Sequence, residues 1–192
     1  MNTKSNYEIF IETSALLEGH FLLTSGRHSN QYFQCAKVLQ FPNKTEIVCK
    51  TIADFFRNYN IDTVLSPALG GIIVGQEVAR QLNKKSIFAE REDAKLTLRR
   101  GFSLSENENV LICEDVVTTG GSVFELINIV KNSKANLVGV GMIVDRSNGK
   151  VNFGVPQVSS VQLEVVSYIA EECPLCRQNI ELVKPGSRKI IK

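Results

Sequence analysis

Residues 110–122 read VLICEDVVTTGGS. Four apolar positions lead into two adjacent carboxylates, Glu114 and Asp115. Val116, Val117, Thr118, Thr119, Gly120, Gly121 and Ser122 follow. In open parallel sheets, ligands bind beyond the carboxyl ends of strands, where a turn enters the next helix. This turn offers backbone N–H groups, three hydroxyls and two glycines that permit close approach of a ligand. A helix starting at Ser122 adds unpaired N–H groups and the positive end of its dipole, which suits a phosphate. The two acids would repel a phosphate, so they must face a metal ion or sugar hydroxyls. A phosphorylated ribose satisfies both halves; a glycine-rich turn with no ligand is the plainer reading.

Other stretches carry chemistry less directly. EREDAKLTLRRG brings Arg91, Lys95, Arg99 and Arg100 together, with Lys84 and Lys85 upstream; taken alone, such a run is most simply a solvated face. Residues 70–76, GGIIVGQ, graze the pattern G-x-x-x-x-G-K, but Gln76 stands where the lysine is required, which excludes a P-loop nucleotide site. Arg146 in IVDRSNG pairs with Asp145 on the surface or grips a planar carboxylate with two parallel hydrogen bonds. Tyr32 and Phe33 are either core or ring-stacking walls. His20 and His28 are the only histidines, leaving little room for a histidine nucleophile or a His-rich metal site. Cys173 and Cys176 form the only C-x-x-C. A structural zinc site needs four ligands and no second pair of suitable spacing exists, so metal-free packing is expected, with a zinc site shared between subunits as the other reading.

Alternating strand and helix patterns must position these groups. Asn43 caps an expected helix with Val48, Ile52, Phe55, Phe56 and Tyr59 on one face. A short strand, 63–65, is stopped by Pro67 and a glycine pair. The next helix, 71–82, aligns Ile72, Val78, Ala79 and Leu82. Strands are expected at 86–90, 109–113 and 136–145, with a helix at 122–132 between the last two. Near-continuous apolar strands separated by helices define an α/β fold with a mostly parallel central sheet. One domain over 1–192 is expected: a hood or edge segment at 1–40, a core at 60–150, and a final strand pair and tail at 150–192.

The 192 residues, 43% hydrophobic and 22% charged, suit a globular chain with a sizeable core. A net charge of +2 does not imply a nucleic-acid or membrane partner. The absence of a membrane-length apolar run, a polar start and five irregularly spaced cysteines make the cytoplasm the expected compartment.

The segment VLICEDVVTTGGS resembles the signature of the phosphoribosyltransferases. LLTSGRHSNQYFQCAKVLQ, SPALGGIIVGQEVARQL, FAEREDAKLTLRRGF and ECPLCRQNIELVKPGSR are together similar to the orotate-using branch of that family. The resemblance implies a type I phosphoribosyltransferase-like fold with a small N-terminal hood and a mobile catalytic loop. It implies transfer of a 5-phosphoribosyl group from 5-phosphoribosyl 1-pyrophosphate to orotate, giving orotidine 5′-monophosphate and pyrophosphate in pyrimidine synthesis. Glu114 and Asp115 would hold the ribose 2- and 3-hydroxyls, with Mg²⁺ bound mainly by the substrate. Val116 to Ser122 would bind the donor, Thr118 to Ser122 wrapping its 5-phosphate. Amides around Leu69, Gly70 and Gly71 would embrace the pyrophosphate. Lys95, with Arg91, would act from a loop that closes over the site and reaches a neighbouring subunit of a homodimer. Arg146 and Thr118 would bind orotate. The chain departs from relatives at Gly70 and Thr24, where some carry lysine, and at Glu92 and Thr97, where a basic residue and a histidine are common; Lys37 is the candidate substitute for the lysine absent at Thr24. A purine-using enzyme and a non-catalytic regulator on the same fold are the rival readings.

Overall fold

A computed structural model describes residues 5–23, 26–162 and 166–184. Thr24 and residues 185–188 of the tail motif lie outside the described residues. The chain divides into two compact units, Met1–Val38 with Glu164–Lys192, and Leu39–Leu163.

The larger unit is built on a six-stranded sheet in the order β5-β4-β3-β6-β7-β8. Its strands are β3 (Thr63–Pro67), β4 (Lys85–Glu92), β5 (Lys95–Leu98), β6 (Asn109–Val117), β7 (Asn136–Asp145) and β8 (Gln157–Gln162). All neighbours run parallel except β4 and β5, which are antiparallel. Helix α3 (Pro42–Phe56) precedes β3, α4 (Gly70–Leu82) links β3 to β4, and α5 (Gly121–Asn132) links β6 to β7. β3 is buried at every position, as a strand covered on both faces must be. One face packs Leu65, Ile112, Val140 and Met142 with Val123, Leu126, Ile127 and Val130 of α5.

The paired glycines of β7 receive α3. A Cβ on Gly139 would lie 2.3 Å from the Phe56 ring and 2.8 Å from the Pro156 carbonyl oxygen, and one on Gly141 would lie 2.3 Å from Ile52 Cγ2. Helix α3 starts at Pro42, whose missing N–H costs nothing at a first helical position. Asn43 therefore lies within the first turn and is not the cap. Phe55 and Tyr59, expected on the buried face, are exposed and stack on each other at 6.0 Å, while Val48, Ile52 and Phe56 are buried.

Several boundaries differ from the sequence reading. β3 runs on to Pro67 because β4 continues to pair with it there. β6 runs to Val117 because β7 pairs with it up to Asp145. The cation-rich stretch expected as a loop holds a β-hairpin, with Glu92 opposite Lys95 and both turn residues, Asp93 and Ala94, at positive φ as a tight hairpin turn requires. β8 extends the main sheet, so among the described residues the expected final strands do not pair with each other.

The smaller unit holds α1 (Asn6–Glu12), α2 (Ala36–Leu39, reaching its boundary), α6 (Pro174–Arg177) and an antiparallel sheet β1-β2-β9. These strands are β1 (Leu16–Leu22), β2 (His28–Phe33) and β9 (Ser167–Tyr168). Phe33 is buried edge-on to Phe10 at 5.8 Å, so it is core. Among the described residues no helix is long and apolar enough to cross a membrane.

At the amino ends of β4, β3 and β6, the Glu108 carboxylate accepts hydrogen bonds from Lys85 Nζ at 2.6 Å, Ser105 N at 2.7 Å and the Thr63 hydroxyl. Burial alone would push its pKa up, but these donors outweigh it and hold the carboxyl below its ordinary value. The stability this lends is in place above the unfolded carboxyl's pKa of about 4.3 and is lost as pH falls through the lower native value. Glu108→Gln is therefore expected to lower the urea midpoint at pH 7, with the deficit shrinking as pH drops below about 4. A deficit that stays constant with pH would show that the charge is not what matters.

Candidate functional site

The sheet changes winding direction between β3 and β6. From β3 the chain crosses through α4 to β4 on one side; from β6 it crosses through α5 to β7 on the other. The loops leaving the two adjacent strands diverge, and the crevice between them is where open α/β sheets bind ligands. Both chemical motifs singled out from the sequence, SPALGG and EDVVTTGGS, end at this point.

β3 pairs with β6 only as far as Ile112, so β6 projects beyond it with one edge unpaired by β3. Glu114 and Asp115 lie on that projection. Glu114 is buried and Asp115 half-buried. Each carboxylate is braced by the next residue's amide: Asp115 N donates to Glu114 Oε1 at 3.0 Å, and Val116 N to Asp115 Oδ1 at 2.8 Å. Across the crevice, Leu69 is 79% exposed and begins α4 after the cis Ala68–Leu69 peptide. Gly70 and Gly71 press on the acid pair. A Cβ at Gly70 would sit 2.1 Å from Asp115 Oδ2, and one at Gly71 would sit 3.2 Å from Glu114 Oε1. No side chain fits at Gly70 while Asp115 keeps this position.

Helix α5 opens at Gly121, with Gly120 as its cap residue at φ 76°. Glycine is required there twice over, since a Cβ would also meet Phe153 and Val151 at 2.9 Å. No side chain caps this helix, so first-turn amides are available to an anion. Thr118 and Thr119 are exposed beside it and Ser122 is half-buried. Val117, read as part of the ligand loop, has its side chain in the hydrophobic core; its contribution is to anchor Thr118. Its carbonyl accepts from Arg146 N at 2.8 Å, so the base of Arg146 is fixed beside Thr118. Asp145 is buried, and its carboxylate shapes the following loop by accepting from Ser147 N, Ser147 Oγ and Gly149 N at 2.8, 2.7 and 3.2 Å.

Lys95 is exposed on the hairpin. Arg91 has a different setting from the one expected. Its guanidinium donates to Glu125 of α5 at 2.9 Å and to the Ala94 carbonyl at 2.6 Å, while Leu96 N also donates to Glu125, at 2.9 Å. Arg91 is thus a strut between the hairpin and α5. Glu125 had no sequence signal, being one acid on an amphipathic helix. Cys113, next to the acid pair, is fully buried, and desolvation pushes its thiol well above its ordinary pKa; Cys49 is pushed up to about 12, by burial and then by Glu77. Neither is a thiolate nucleophile.

A second cluster lies in the smaller unit, where His20 and His28 meet Cys173 and Cys176. The cysteines read as packing without a metal lie against both histidines of the chain.

The family model for the phosphoribosyl transferase domain matches residues 36–164. Orotate phosphoribosyltransferase of Caldicellulosiruptor saccharolyticus is 54% identical over 99% of this chain and 100% of its own length. The enzyme of the same name from Thermoanaerobacter sp. is 57% identical over 98% of this chain and all of its own. Among solved structures, orotate phosphoribosyltransferase from Aeropyrum pernix shares the fold with a TM-score of 0.67, at 24% identity, covering 82% of this chain and 93% of that one. Adenine phosphoribosyltransferase from Rhodothermus marinus does so with a TM-score of 0.59 at 21% identity, covering 69% of this chain and 87% of the other. The chain belongs to the phosphoribosyltransferase family and, within it, to the orotate phosphoribosyltransferases.

Because the atom blocking Gly70 is the end of a side chain, Gly70→Ala is expected to fold normally while turning Asp115 out of place. Loss of its charge-assisted hydrogen bonds should weaken binding of a phosphoribosyl ligand by about 10–100-fold. Calorimetric titration beside a thermal melt would check this; unchanged affinity would remove Asp115 from the ligand's contacts.

Proposed function

We propose that the chain catalyses transfer of the 5-phosphoribosyl group from 5-phosphoribosyl 1-pyrophosphate to the ring nitrogen of orotate, releasing pyrophosphate and orotidine 5′-monophosphate. The observation that carries this reading is the acid pair against Gly70 and Gly71, a few residues before the uncapped start of α5, at the point where the sheet reverses its winding. Amides of residues 121–123 and the hydroxyls of Thr118, Thr119 and Ser122 would hold the 5-phosphate. Asp115 and Glu114 would accept from the ribose 2- and 3-hydroxyls. Backbone N–H groups at the start of α4 would receive the pyrophosphate without a lysine.

The donor set also suits Mg²⁺, since hard carboxylate oxygens lie beside the expected pyrophosphate pocket and the donor itself supplies further oxygens. When bound, Mg²⁺ neutralises charge on the leaving pyrophosphate. Arg146, fixed at its base beside Thr118, supports recognition of the orotate carboxylate, which a purine base lacks. Lys95 would approach the leaving group, whose charge grows in the transition state, so its contribution falls on kcat more than on binding. Its exposure on the hairpin suits action across a homodimer interface in the cytoplasm. Arg91 would act beside Lys95, and its ion pair with Glu125 supports a share in holding that hairpin.

The direct test mixes the protein with donor, Mg²⁺ and orotate and follows loss of orotate absorbance, with uracil, hypoxanthine and adenine as controls. Turnover of orotate alone is expected, and turnover of a control base in its place would overturn the assignment. Lys95→Ala should lower kcat by about 10²–10⁴-fold in folded protein. Arg146→Ala should raise KM for orotate by about 10–100-fold and leave KM for the donor unchanged; an unaltered orotate KM would place the carboxylate elsewhere.

A further inference from the structure

The small unit has a modest core, with Ile9, Phe10, Ala15, Phe21, Phe33 and Val38 among its buried apolar residues. Domains this small commonly need a cross-link or a metal to hold together. Its last described segment runs along β1: Val183 bridges to Phe21 in parallel, Val183 N donates to His20 O at 2.8 Å, and Leu22 N donates to Val183 O at 2.9 Å.

At this junction four side chains converge. His20 lies where the β1–β2 register shifts, between Glu18 and Phe21, and such irregularities re-aim a side chain. His28 opens β2 on the neighbouring strand. Cys173 caps α6 and Cys176 lies in its single turn. Their ligand atoms all lie within 4.8 Å of one another. His20 Nε2 is 3.5 Å from Cys173 Sγ, 3.7 Å from Cys176 Sγ and 2.9 Å from His28 Nδ1; His28 Nδ1 is 3.3 Å from Cys176 Sγ. Around a tetrahedral zinc, with bonds of about 2.0 Å to nitrogen and 2.3 Å to sulfur, N···S edges come to about 3.5 Å and the N···N edge to about 3.3 Å. The three N···S separations match, and the N···N edge needs to open by a few tenths of an ångström.

The tautomer agrees. His20 Nδ1 is 2.8 Å from the Ile180 carbonyl oxygen, which can only accept, so Nδ1 carries the proton. In the neutral ring this leaves the Nε2 lone pair directed at His28 and the two sulfurs, and a ligating histidine typically has this kind of backing. His20, His28 and Cys173 are buried, at 2%, 5% and 0% exposure.

We propose that His20, His28, Cys173 and Cys176 form a tetrahedral structural zinc site that pins the C-terminal segment to the β1–β2 ribbon. Two thiolates and two imidazoles with no fifth ligand favour zinc and leave no open position for catalysis.

The test uses the full chain, untagged and purified without chelator. Elemental analysis should find about one equivalent of zinc per chain. After zinc is stripped, titration with Co²⁺ should saturate at one equivalent, with intense visible bands of tetrahedral cobalt and near-ultraviolet thiolate charge transfer. Cys176→Ser should weaken the charge-transfer band, and stripped protein should melt at a lower temperature. Zinc far below stoichiometric, a different stoichiometric metal, or only the weak spectrum of six-coordinate cobalt in folded wild-type protein would overturn the proposal and leave a hydrogen-bonded His–Cys cluster. Because the readouts are metal content and spectrum, they stand or fall independently of orotate turnover.

Discussion

The arrangement depends on one constraint: β3 and β6 lie side by side in parallel while the helices that follow them leave in opposite directions. Two strand ends are thereby forced to open their loops away from each other. Nothing can fill that gap from within the sheet, because the next strand on either side belongs to the crossover just completed. β6 projects beyond its pairing with β3, and that overhang carries the acids. A sheet wound in a single direction would put a helix where the ligand must lie.

Within the crevice, opposite electrostatic demands are kept apart by a few residues of chain. The carboxylates of Glu114 and Asp115 each accept a hydrogen bond from the next amide of their own strand. The uncapped end of α5 offers neutral donors, whose attraction for an anion persists without an added counter-charge. The glycines at the start of α4 bring backbone donors close to the acid pair at the cost of excluding any side chain. Main-chain amides and carboxylates meet at this crevice, while Arg146 is held at its base beside Thr118 and Lys95 is exposed on the hairpin.

Much of this was legible in the chain because the signals were local. The helix expected at 122–132 begins one residue earlier, at Gly121, since glycine at 120 and 121 and the apolar spacing of Val123, Leu126, Ile127 and Val130 agree. What was not legible depended on pairing partners. The acids read as lying past a strand end at Cys113 are inside the strand, because β7 is long enough to pair with Val116 and Val117. The hairpin at Asp93 and Ala94 was hidden because neither residue is the glycine or asparagine that advertises a tight turn, and its flanks are charged rather than alternating. The gathering of His20, His28, Cys173 and Cys176 left no spacing pattern, since the two pairs are separated by almost the whole larger unit.

The strut from Arg91 to Glu125 ties the hairpin to α5. Glu125 lies little more than a turn from the anion-facing end of α5, and it holds both Arg91 and the amide of Leu96 in the hairpin that bears Lys95. A single carboxylate thus joins helix and hairpin through three hydrogen bonds. Removing that one carboxylate would break all three bonds at once, so much of the polar link between hairpin and helix rests on one side chain.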